Sequence, residues 1–303
     1  MSLSVDRGET VALVGESGSG KSLTTLAILK LTPPGSHISA DAVRFEGAEI
    51  STLSEQELRD IRGRRIAVVF QDPMSSLNPV LTVGRQIRQV LRRHLGMRSG
   101  PAHRRAVELL DLVEIPDPRR CASQFPHQLS GGMQQRAMIA IALAAEPVLL
   151  IADEPTTALD VTLQAQVMEL LGRLQSELGM AMLFISHDLS VVGGVAHRVN
   201  VMYAGRIVER ADTHSLFREP SHPYTQGLLR VVRDLESTST VDLSPIPGHP
   251  PTIGTLPDGC PFAPRCPFVF DRCRVERPRI RPVHQNQAAA CHLAGQDSMV
   301  ETP

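Results

Sequence analysis

The chain has 303 residues, of which 42% are hydrophobic, so it is long enough for one large domain with a smaller appendage or for two ordinary domains. Its formal net charge of −1 gives no electrostatic case for binding nucleic acid. Aromatic residues make up only 3% of the chain and tryptophan is absent, so base-stacking platforms are not expected either.

No apolar run approaches the roughly 18 residues that indicate a membrane-spanning helix. Met1 is followed by Ser-Leu-Ser-Val-Asp-Arg, which lacks the basic and then apolar pattern of a secretory signal. We therefore expect a soluble, cytoplasmic protein whose role at a membrane, if it has one, is exercised through a partner.

Short apolar strands alternate with helices along most of the chain. Strands are predicted over Thr10–Val14, Ile66–Phe70, Val148–Ala152, Met182–Ile185 and Val199–Met202. Helices are predicted over Ser22–Leu31, Val83–Leu95, Arg104–Ile115, Gly131–Ala145, Leu163–Leu178, Leu189–Val195 and Tyr224–Arg233. This alternation predicts an α/β fold around a largely parallel sheet, with an inserted helical subdomain at about residues 72–146.

Residues 15–22 form a glycine-rich motif that is typical of phosphate-binding loops. They are Gly15, Glu16, Ser17, Gly18, Ser19, Gly20, Lys21 and Ser22, and they fit G-x-x-x-x-G-K-[ST] at every fixed position. Glycines let backbone N–H groups curl around phosphate oxygens. Lys21 is expected to neutralise the β- and γ-phosphates, and the Ser22 hydroxyl to bind Mg²⁺. A chance glycine-rich turn is disfavoured, because the motif lies between a predicted strand and a predicted helix.

A second candidate site follows the apolar segment Leu149–Ala152, which delivers Asp153 and Glu154 to its carboxyl end. Open α/β sheets bind ligands at that edge. Asp153 is suited to hold Mg²⁺, and Glu154 is suited to polarise an attacking water. Taken alone, two acids at a strand end are commonly just solvated, but together with the phosphate loop they predict a nucleotide hydrolase.

The segment Leu129–Arg136 contains a second anion-binding device, because Ser130, Gly131 and Gly132 open a predicted helix and Gln134 follows them. This stretch resembles the signature sequence of ABC ATPases. The resemblance implies that two such subunits pair head to tail, with each ATP between the phosphate loop of one and the signature of the other.

Three further positions match motifs of the same family. Gln71 follows the strand Ile66–Phe70, where the resemblance implies a glutamine that senses Mg²⁺ and water and contacts membrane subunits. Ala158-Leu159-Asp160 is similar to the loop that communicates across the dimer, and His187 to the histidine that contacts the γ-phosphate and orients Glu154. The chain is identified as a member of the P-loop ABC ATPase family.

Three stretches narrow the resemblance to the ATPase subunits of dipeptide and oligopeptide importers. They are Phe70–Pro79, His222–Thr225 and Cys260–Pro267. The resemblance implies ATP and Mg²⁺ as ligands, and a peripheral position on the cytoplasmic face of a bacterial membrane. The implied partners are a second ATPase subunit, either a copy or a paralogue, two membrane permeases and an extracytoplasmic binding protein.

Other functions remain open at this point. Relatives are known for nickel and other small solutes as well as for peptides. Soluble ABC ATPases of DNA repair carry long coiled coils between the two motifs, and those of translation carry two cassettes, neither of which is present here. A catalytically silent subunit is a third alternative, although every catalytic position is filled.

The C-terminal extension, residues 221–303, is predicted to contain a linker at about 237–257 and a tail with four cysteines. These are Cys260, Cys266, Cys273 and Cys291, and in a cytosolic protein such a cluster indicates a metal before disulfides. Their spacing differs from that of common zinc ribbons. The resemblance implies a [4Fe–4S] cluster; zinc and unliganded or oxidised cysteines are the alternatives. Cys121 is expected to be an ordinary, partly buried cysteine.

The stretch ahead of the phosphate loop departs from the family pattern. Only 14 residues precede Gly15, and no aromatic residue occurs before Phe45. The resemblance implies additional N-terminal strands and an aromatic side chain that stacks on adenine. We therefore expect the chain as written to bind nucleotide weakly.

Overall fold

The structure, a computed structural model, describes residues 1–157, 159–236, 246–251 and 256–295. The strands in this part of the chain are β1 Thr10–Val14, β2 Arg44–Phe45, β3 Ala48–Glu49, β4 Ile66–Val69, β5 Leu149–Asp153, β6 Ala181–Ser186, β7 Arg198–Tyr203, β8 Arg206–Asp212, β9 Arg281–His284 and β10 Gln287–Ala289. Ala158 and most of the expected linker, 237–245 and 252–255, lie outside the described residues.

The helices of the described residues fall mainly between β3 and β8. They are α1 Lys21–Ile28, α2 Glu55–Ile61, α3 Pro73–Ser76, α4 Val83–Leu95, α5 Ser99–Leu112, α6 Pro118–Ser123, α7 Gly131–Leu143, α8 Val161–Leu178, α9 Leu189–Val192, α10 Thr213–Arg218, α11 Pro223–Glu236 and α12 Asp271–Val275. Short 3-10 turns occupy Pro126–Gln128 and Ala263–Arg265. None of the helices described is long and apolar enough to cross a bilayer.

The chain divides into two compact units. The first unit consists of Met1–Val5, Thr10–Lys21 and Ile185–Pro303. Its strands lie in the order β1-β7-β8-β10-β9. β1 and β7 run parallel, with Val11 opposite Arg198, whereas the pairs β7–β8, β8–β10 and β10–β9 are antiparallel. The two strands of this unit that the sequence predicted, β1 and β7, are therefore parallel, and the antiparallel part of the sheet is added by the unpredicted strands β8, β9 and β10.

The second unit consists of Asp6–Glu9 and Ser22–Phe184. Its strands lie in the order β4-β5-β6, and β4 and β5 are parallel, with Ile66 opposite Leu149. Helices α4, α5 and α7 pack together through side chains that are almost completely buried. These are Ile87 and Leu91 of α4, Leu109 and Leu110 of α5, and Ile139 and Leu143 of α7. Helices α3 to α7 therefore lie between β4 and β5, where the sequence predicts helices, and their organisation as a separate subdomain stays a prediction.

The element boundaries show which local signals were decisive. Helix α4 has the bounds that its periodicity predicts, and Gly96 ends it in the left-handed conformation. Helix α5 begins at Ser99 instead of Arg104, because its polar first turn carries no apolar periodicity. Helix α9 ends at Val192, where Gly193 and Gly194 follow. Strand β8 was not predicted because charged residues interrupt its apolar ones, and β9 and β10 were not predicted because they have only four and three residues.

A buried carboxylate joins the C-terminal extension to the sheet of the first unit. Glu209 of β8 is completely buried, and its carboxylate accepts the backbone N–H groups of Ser221 (2.7 Å) and His222 (2.9 Å). The Gln287 side-chain amide of β10 donates to the same carboxylate at 2.8 Å. The three donors compensate the cost of burying this acid. They also hold the start of α11 and the edge of β10 on β8.

His222 is buried beside this carboxylate and is held as a neutral ring. Its Nδ1 accepts the N–H of Tyr224 at 3.0 Å, and the ring donates to the backbone of Ala290. Burial lowers the pKa of His222 from 6.5 to about 4. Because the unfolded ring binds a proton below about pH 6.5 while the folded ring does not, stability falls as the pH drops from 6.5 towards 4.

We predict that His222→Gln flattens this pH dependence. The wild-type chain should lose about 2 kcal/mol more unfolding free energy between pH 7 and pH 5 than the variant loses. Chemical denaturation at several pH values measures the difference. His214→Gln, which changes an exposed histidine of α10, is the matched control and should behave as wild type. Equal slopes for wild type and His222→Gln would contradict the assignment.

Candidate functional site

Three glycines shape the loop that follows β1. A Cβ atom on Gly15 would lie 2.1 Å from the carbonyl oxygen of Met202, so only glycine fits where the loop passes the end of β7. Gly18 and Gly20 have φ angles of +78° and +101°, in the region that other residues rarely adopt. These conformations turn the chain back on itself ahead of α1, as a phosphate-binding loop requires.

Lys21, the first residue of α1, is folded back against the loop. It is only 4% exposed, and its Nζ donates to the carbonyl oxygens of Gly15 (2.8 Å) and Glu16 (3.2 Å). Ser17 and Gly18 form the exposed outer turn. The ammonium group is thus fixed inside the loop, where it adds positive charge to the N–H groups that the loop presents.

Asp153 and Ser22 bring two oxygen atoms together in the second unit. Asp153 ends the buried strand β5 and is 7% exposed. Its Oδ1 accepts the Ser22 hydroxyl at 2.9 Å. A hydroxyl and a carboxylate side by side are the hard oxygen donors that Mg²⁺ prefers, and Mg²⁺ commonly takes few protein ligands. The residues present therefore fit a magnesium ion.

Glu154 is oriented by two neutral donors. Its Oε2 accepts the Gln71 side-chain amide at 3.2 Å and the Thr157 hydroxyl at 3.0 Å. The Glu154 backbone has a φ of +47°, which is uncommon for a residue with a side chain and directs the chain sharply away from the strand. Gln71 follows β4, the neighbour of β5, so the sheet brings these two predicted residues into contact. The contribution of Thr157 was not predicted from the sequence.

The predicted signature lies at the start of α7. Ser130 caps this helix by accepting the N–H of Met133 at 3.4 Å, and both Ser130 and Gly131 are exposed. Gln134 is buried, and its amide donates to the carbonyl oxygens of Pro126 and Leu129, so it holds the turn ahead of the helix. Contact of Gln134 with a nucleotide stays a prediction.

The signature helix meets the segment of Asp160. A Cβ atom on Gly132 would lie 3.2 Å from the Leu163 side chain, and Asp160 caps α8 by accepting the Leu163 N–H at 2.9 Å. The start of the signature helix and the segment of Asp160 are thus held together in the second unit. The family resemblance implies that both of them face the other subunit of a dimer.

His187 follows β6 in the first unit and is exposed. The Ser186 hydroxyl, which precedes it, accepts the N–H of Asp188 at 2.9 Å and so forms a tight turn. The next helix begins at Leu189 with Asp188 as its cap. His187 is therefore presented on a fixed turn at a strand end.

The four tail cysteines line one small cavity of the first unit. Nearby backbone N–H groups favour the thiolate forms of Cys260, Cys266 and Cys291, although burial has the larger effect on the pKa of each. Burial raises the pKa of these three thiols, that of Cys266 to about 11. Within the described ranges, no three His, Cys, Asp or Glu side chains are gathered closely enough to form an assembled metal site.

Cys121 lies in α6 and is only 1% exposed, which is deeper than the partly buried position that we expected. Burial raises its pKa to about 11. This thiol is therefore an unreactive part of the core.

Three residues around Glu16 were missed by the sequence analysis. Arg265 forms a salt bridge with Glu16 at 2.7 Å, and the Tyr224 hydroxyl accepts the Glu16 N–H at 2.8 Å. Tyr203 contacts both Arg265 and Tyr224. A possible signal existed, since Tyr203 and Tyr224 are the two tyrosines of the chain and Arg265 is the charged residue between two cysteines.

Comparison with known proteins agrees with this geometry. The ABC transporter family model matches residues 1–157, and the model described as "Oligopeptide/dipeptide transporter, C-terminal region" matches residues 208–273. A putative peptide import ATP-binding protein of Brucella melitensis is 51% identical over 95% of this chain and 88% of its own length. The dipeptide transport ATP-binding protein DppD of Escherichia coli K12 is 47% identical over 98% of this chain and 91% of its own.

Solved structures show the same fold. The dimeric ABC transporter cassette MJ0796, in a post-hydrolysis state bound to ADP and Pi, matches with a TM-score of 0.61 and 33% identity over 70% of this chain and 88% of that one. CbiO1 of Clostridium perfringens, part of the ABC transporter complex cbiONQ, matches with a TM-score of 0.61 and 27% identity over 78% and 90%. The chain therefore belongs to the ATP-binding proteins of ABC transporters, in their oligopeptide/dipeptide branch.

Proposed function

We propose that this chain hydrolyses ATP to energise the import of dipeptides and short oligopeptides across a cytoplasmic membrane. The observation that carries the hydrolysis is the arrangement of Glu154 and Gln71 next to the Asp153–Ser22 pair. The peptide cargo is supported by relatives of about 50% identity that are described as peptide import or dipeptide transport ATP-binding proteins.

The residues divide the work of hydrolysis. The N–H groups of the loop and Lys21 bind the phosphates, while Ser22 and Asp153 would hold Mg²⁺. The ion supplies positive charge that offsets the negative charge of the transferred phosphoryl group. Glu154 accepts a proton from the attacking water, and its hydrogen bonds from Gln71 and Thr157 keep it in place. His187 is assigned to the γ-phosphate through the family resemblance.

The exposed start of α7 supports a partner subunit. Ser130 and Gly131 present a capped helix N-terminus to solvent, and such an end attracts phosphate. We infer that it completes the nucleotide site of a second ATPase subunit, a copy or a paralogue. The dimeric state of the cassette MJ0796 supports this arrangement.

An apolar groove in the second unit supports docking on membrane permeases. It has a volume of about 290 Å³ and is lined by Leu31, Phe70, Leu77, Val90 and Ile141 among others. Phe70 is 40% exposed there and directly precedes Gln71, so an occupant of the groove lies beside a catalytic segment. We infer that two permease subunits dock here and that an extracytoplasmic binding protein supplies them with peptide.

We also propose that the tail holds a [4Fe–4S] cluster through Cys260, Cys266, Cys273 and Cys291. Support comes from the shared cavity and from nearby backbone N–H groups, which favour the thiolate form of three of these cysteines. The cavity measures only about 10 Å³, so the cysteine segments have to separate as a cluster forms. A bound cluster would mainly stabilise the folded tail, which has a small apolar core around Ala289, Cys291 and Ala294.

Replacing the proposed base should separate binding from turnover. We predict that Glu154→Gln retains ATP binding but lowers hydrolysis by the assembled transporter roughly 100-fold or more. Phosphate release and calorimetry measure the two properties. Glu169→Gln, at an exposed position of α8, is the control and should hydrolyse ATP normally. Undiminished hydrolysis by Glu154→Gln would remove Glu154 from the role of base.

The cargo can be tested in cells. Deleting this chain should abolish uptake of radiolabelled di- and tripeptides, and the wild-type chain should restore it while Glu154→Gln should not. Normal peptide uptake in the deletion strain, together with a loss of nickel uptake, would replace peptide import by the nickel alternative.

The metal content of the tail can be measured after purification without oxygen. We predict about four irons and an equal amount of acid-labile sulfide per chain. Cys266→Ser should lose both, and Cys121→Ala, which changes the buried cysteine of α6, should keep them. Stoichiometric zinc without sulfide, or no metal, would overturn the cluster.

A further inference from the structure

We propose that Arg265 of the C-terminal extension is a positioning residue for the phosphate loop. It holds Glu16, the second residue of that loop, and thereby sets the conformation in which the loop binds ATP. This inference rests on the proposed function, because it assigns a new role at the same nucleotide site.

Arg265 binds the Glu16 carboxylate in a bidentate manner, through both terminal nitrogens of its guanidinium. Nη1 donates to Oε2 at 2.7 Å, and Nη2 donates to Oε1 at 2.9 Å. The Arg265 side chain is only 5% exposed, and that of Glu16 is 26% exposed. A two-pronged pair of this kind fixes the orientation of the carboxylate as well as its distance, which a lysine cannot do.

The remaining N–H groups of Arg265 are also bonded, so the guanidinium cannot turn. Nε donates to the carbonyl oxygen of Pro247 at 2.9 Å, Nη2 to that of Ile246 at 3.3 Å, and Nη1 to the Tyr203 hydroxyl at 3.3 Å. Together with the two bonds to Glu16, these use all five N–H donors of an arginine. The arginine is therefore anchored in the extension and holds the loop from there.

Glu16 passes this constraint on to the rest of the loop. Its N–H donates to the Tyr224 hydroxyl at 2.8 Å, and its carbonyl oxygen accepts the N–H of Ser19 and the Nζ of Lys21, each at 3.2 Å. The amide, carbonyl and carboxylate of Glu16 are thus all engaged. A shift of Glu16 would displace the ammonium group that is expected to bind the phosphates.

Three aromatic side chains pack beside the Arg265–Glu16 pair. The rings of Tyr203, Tyr224 and Phe262 are almost completely buried, and their centroids lie 4.6–5.5 Å apart. Phe262 directly precedes the 3-10 turn that carries Arg265, between the first two tail cysteines. Tyr203 ends β7, and Tyr224 belongs to α11. Two of the three aromatic residues beside the loop, Tyr224 and Phe262, therefore come from the extension.

The test measures KM for ATP and kcat in the assembled transporter, together with the melting temperature of the full chain. Glu16→Gln keeps the side-chain size but breaks the ion pair. Arg265→Lys keeps the charge but cannot form the two parallel hydrogen bonds of a guanidinium. Each is expected to raise KM roughly fivefold or more with little change in kcat. The KM of the double variant should be no higher than that of the poorer single variant, because both changes break the same Arg265–Glu16 ion pair.

A matched control comes from the same tail. Arg272 and Glu276 form an exposed ion pair at 2.7 Å, with both side chains 54% exposed. Arg272→Lys and Glu276→Gln should leave KM and the melting temperature unchanged. Tyr224→Phe removes only the hydroxyl that accepts the Glu16 N–H, and it should also raise KM, as the Arg265 and Glu16 variants do. Glu16→Gln decides the question if Arg265→Lys does not fold, because it breaks the same ion pair from the side of the loop.

Two results would overturn the positioning role. Variants that melt earlier but keep the wild-type KM would show that the pair is only structural, and additive effects in the double variant would show that the two residues act separately. Failure of the proposed function looks different, because the wild-type transporter itself would then neither hydrolyse ATP nor import peptide.

Discussion

The phosphate loop passes so close to the end of β7 that a Cβ on Gly15 would lie 2.1 Å from the Met202 carbonyl oxygen. This contact leaves no room for a side chain and places the loop directly on the end of a strand. The Gly15 carbonyl oxygen then accepts the Lys21 Nζ. The position of the ammonium group therefore follows from how closely the backbone can approach β7.

The acids of the second unit are ordered by a different means. Asp153 is paired with the Ser22 hydroxyl, and Glu154 accepts two neutral donors on one oxygen. The two acids are consecutive in the chain, yet their partners come from α1, from the segment after β4 and from the turn after β5. Parallel pairing of β4 with β5 brings these segments to one edge.

The C-terminal extension contributes to the first unit in two places. Strand β10 adds an antiparallel edge to β8, and the buried Glu209 carboxylate fastens both β10 and the start of α11. Further along, Arg265 reaches Glu16 from the turn between Cys260 and Cys266. The extension is therefore part of the packing around the phosphate loop.

The sequence by itself determined the alternating core, the helical block between β4 and β5, and every motif that places this chain among ABC ATP-binding proteins. These features depend on local periodicity and on fixed spacing within short segments, such as residues 15–22. Only the tertiary structure decided that β8, β9 and β10 extend the sheet of the first unit, since segments that are very short or interrupted by charged residues form strands only where a neighbour offers its edge. It also decided that Thr157 supports Glu154, that Gln134 holds a turn, and that Arg265 meets Glu16 across 249 positions of the chain. The contacts of Thr157 and Gln134 depend on how side chains are oriented within a turn, and that of Arg265 depends on long-range packing. Neither leaves a periodic trace in the sequence.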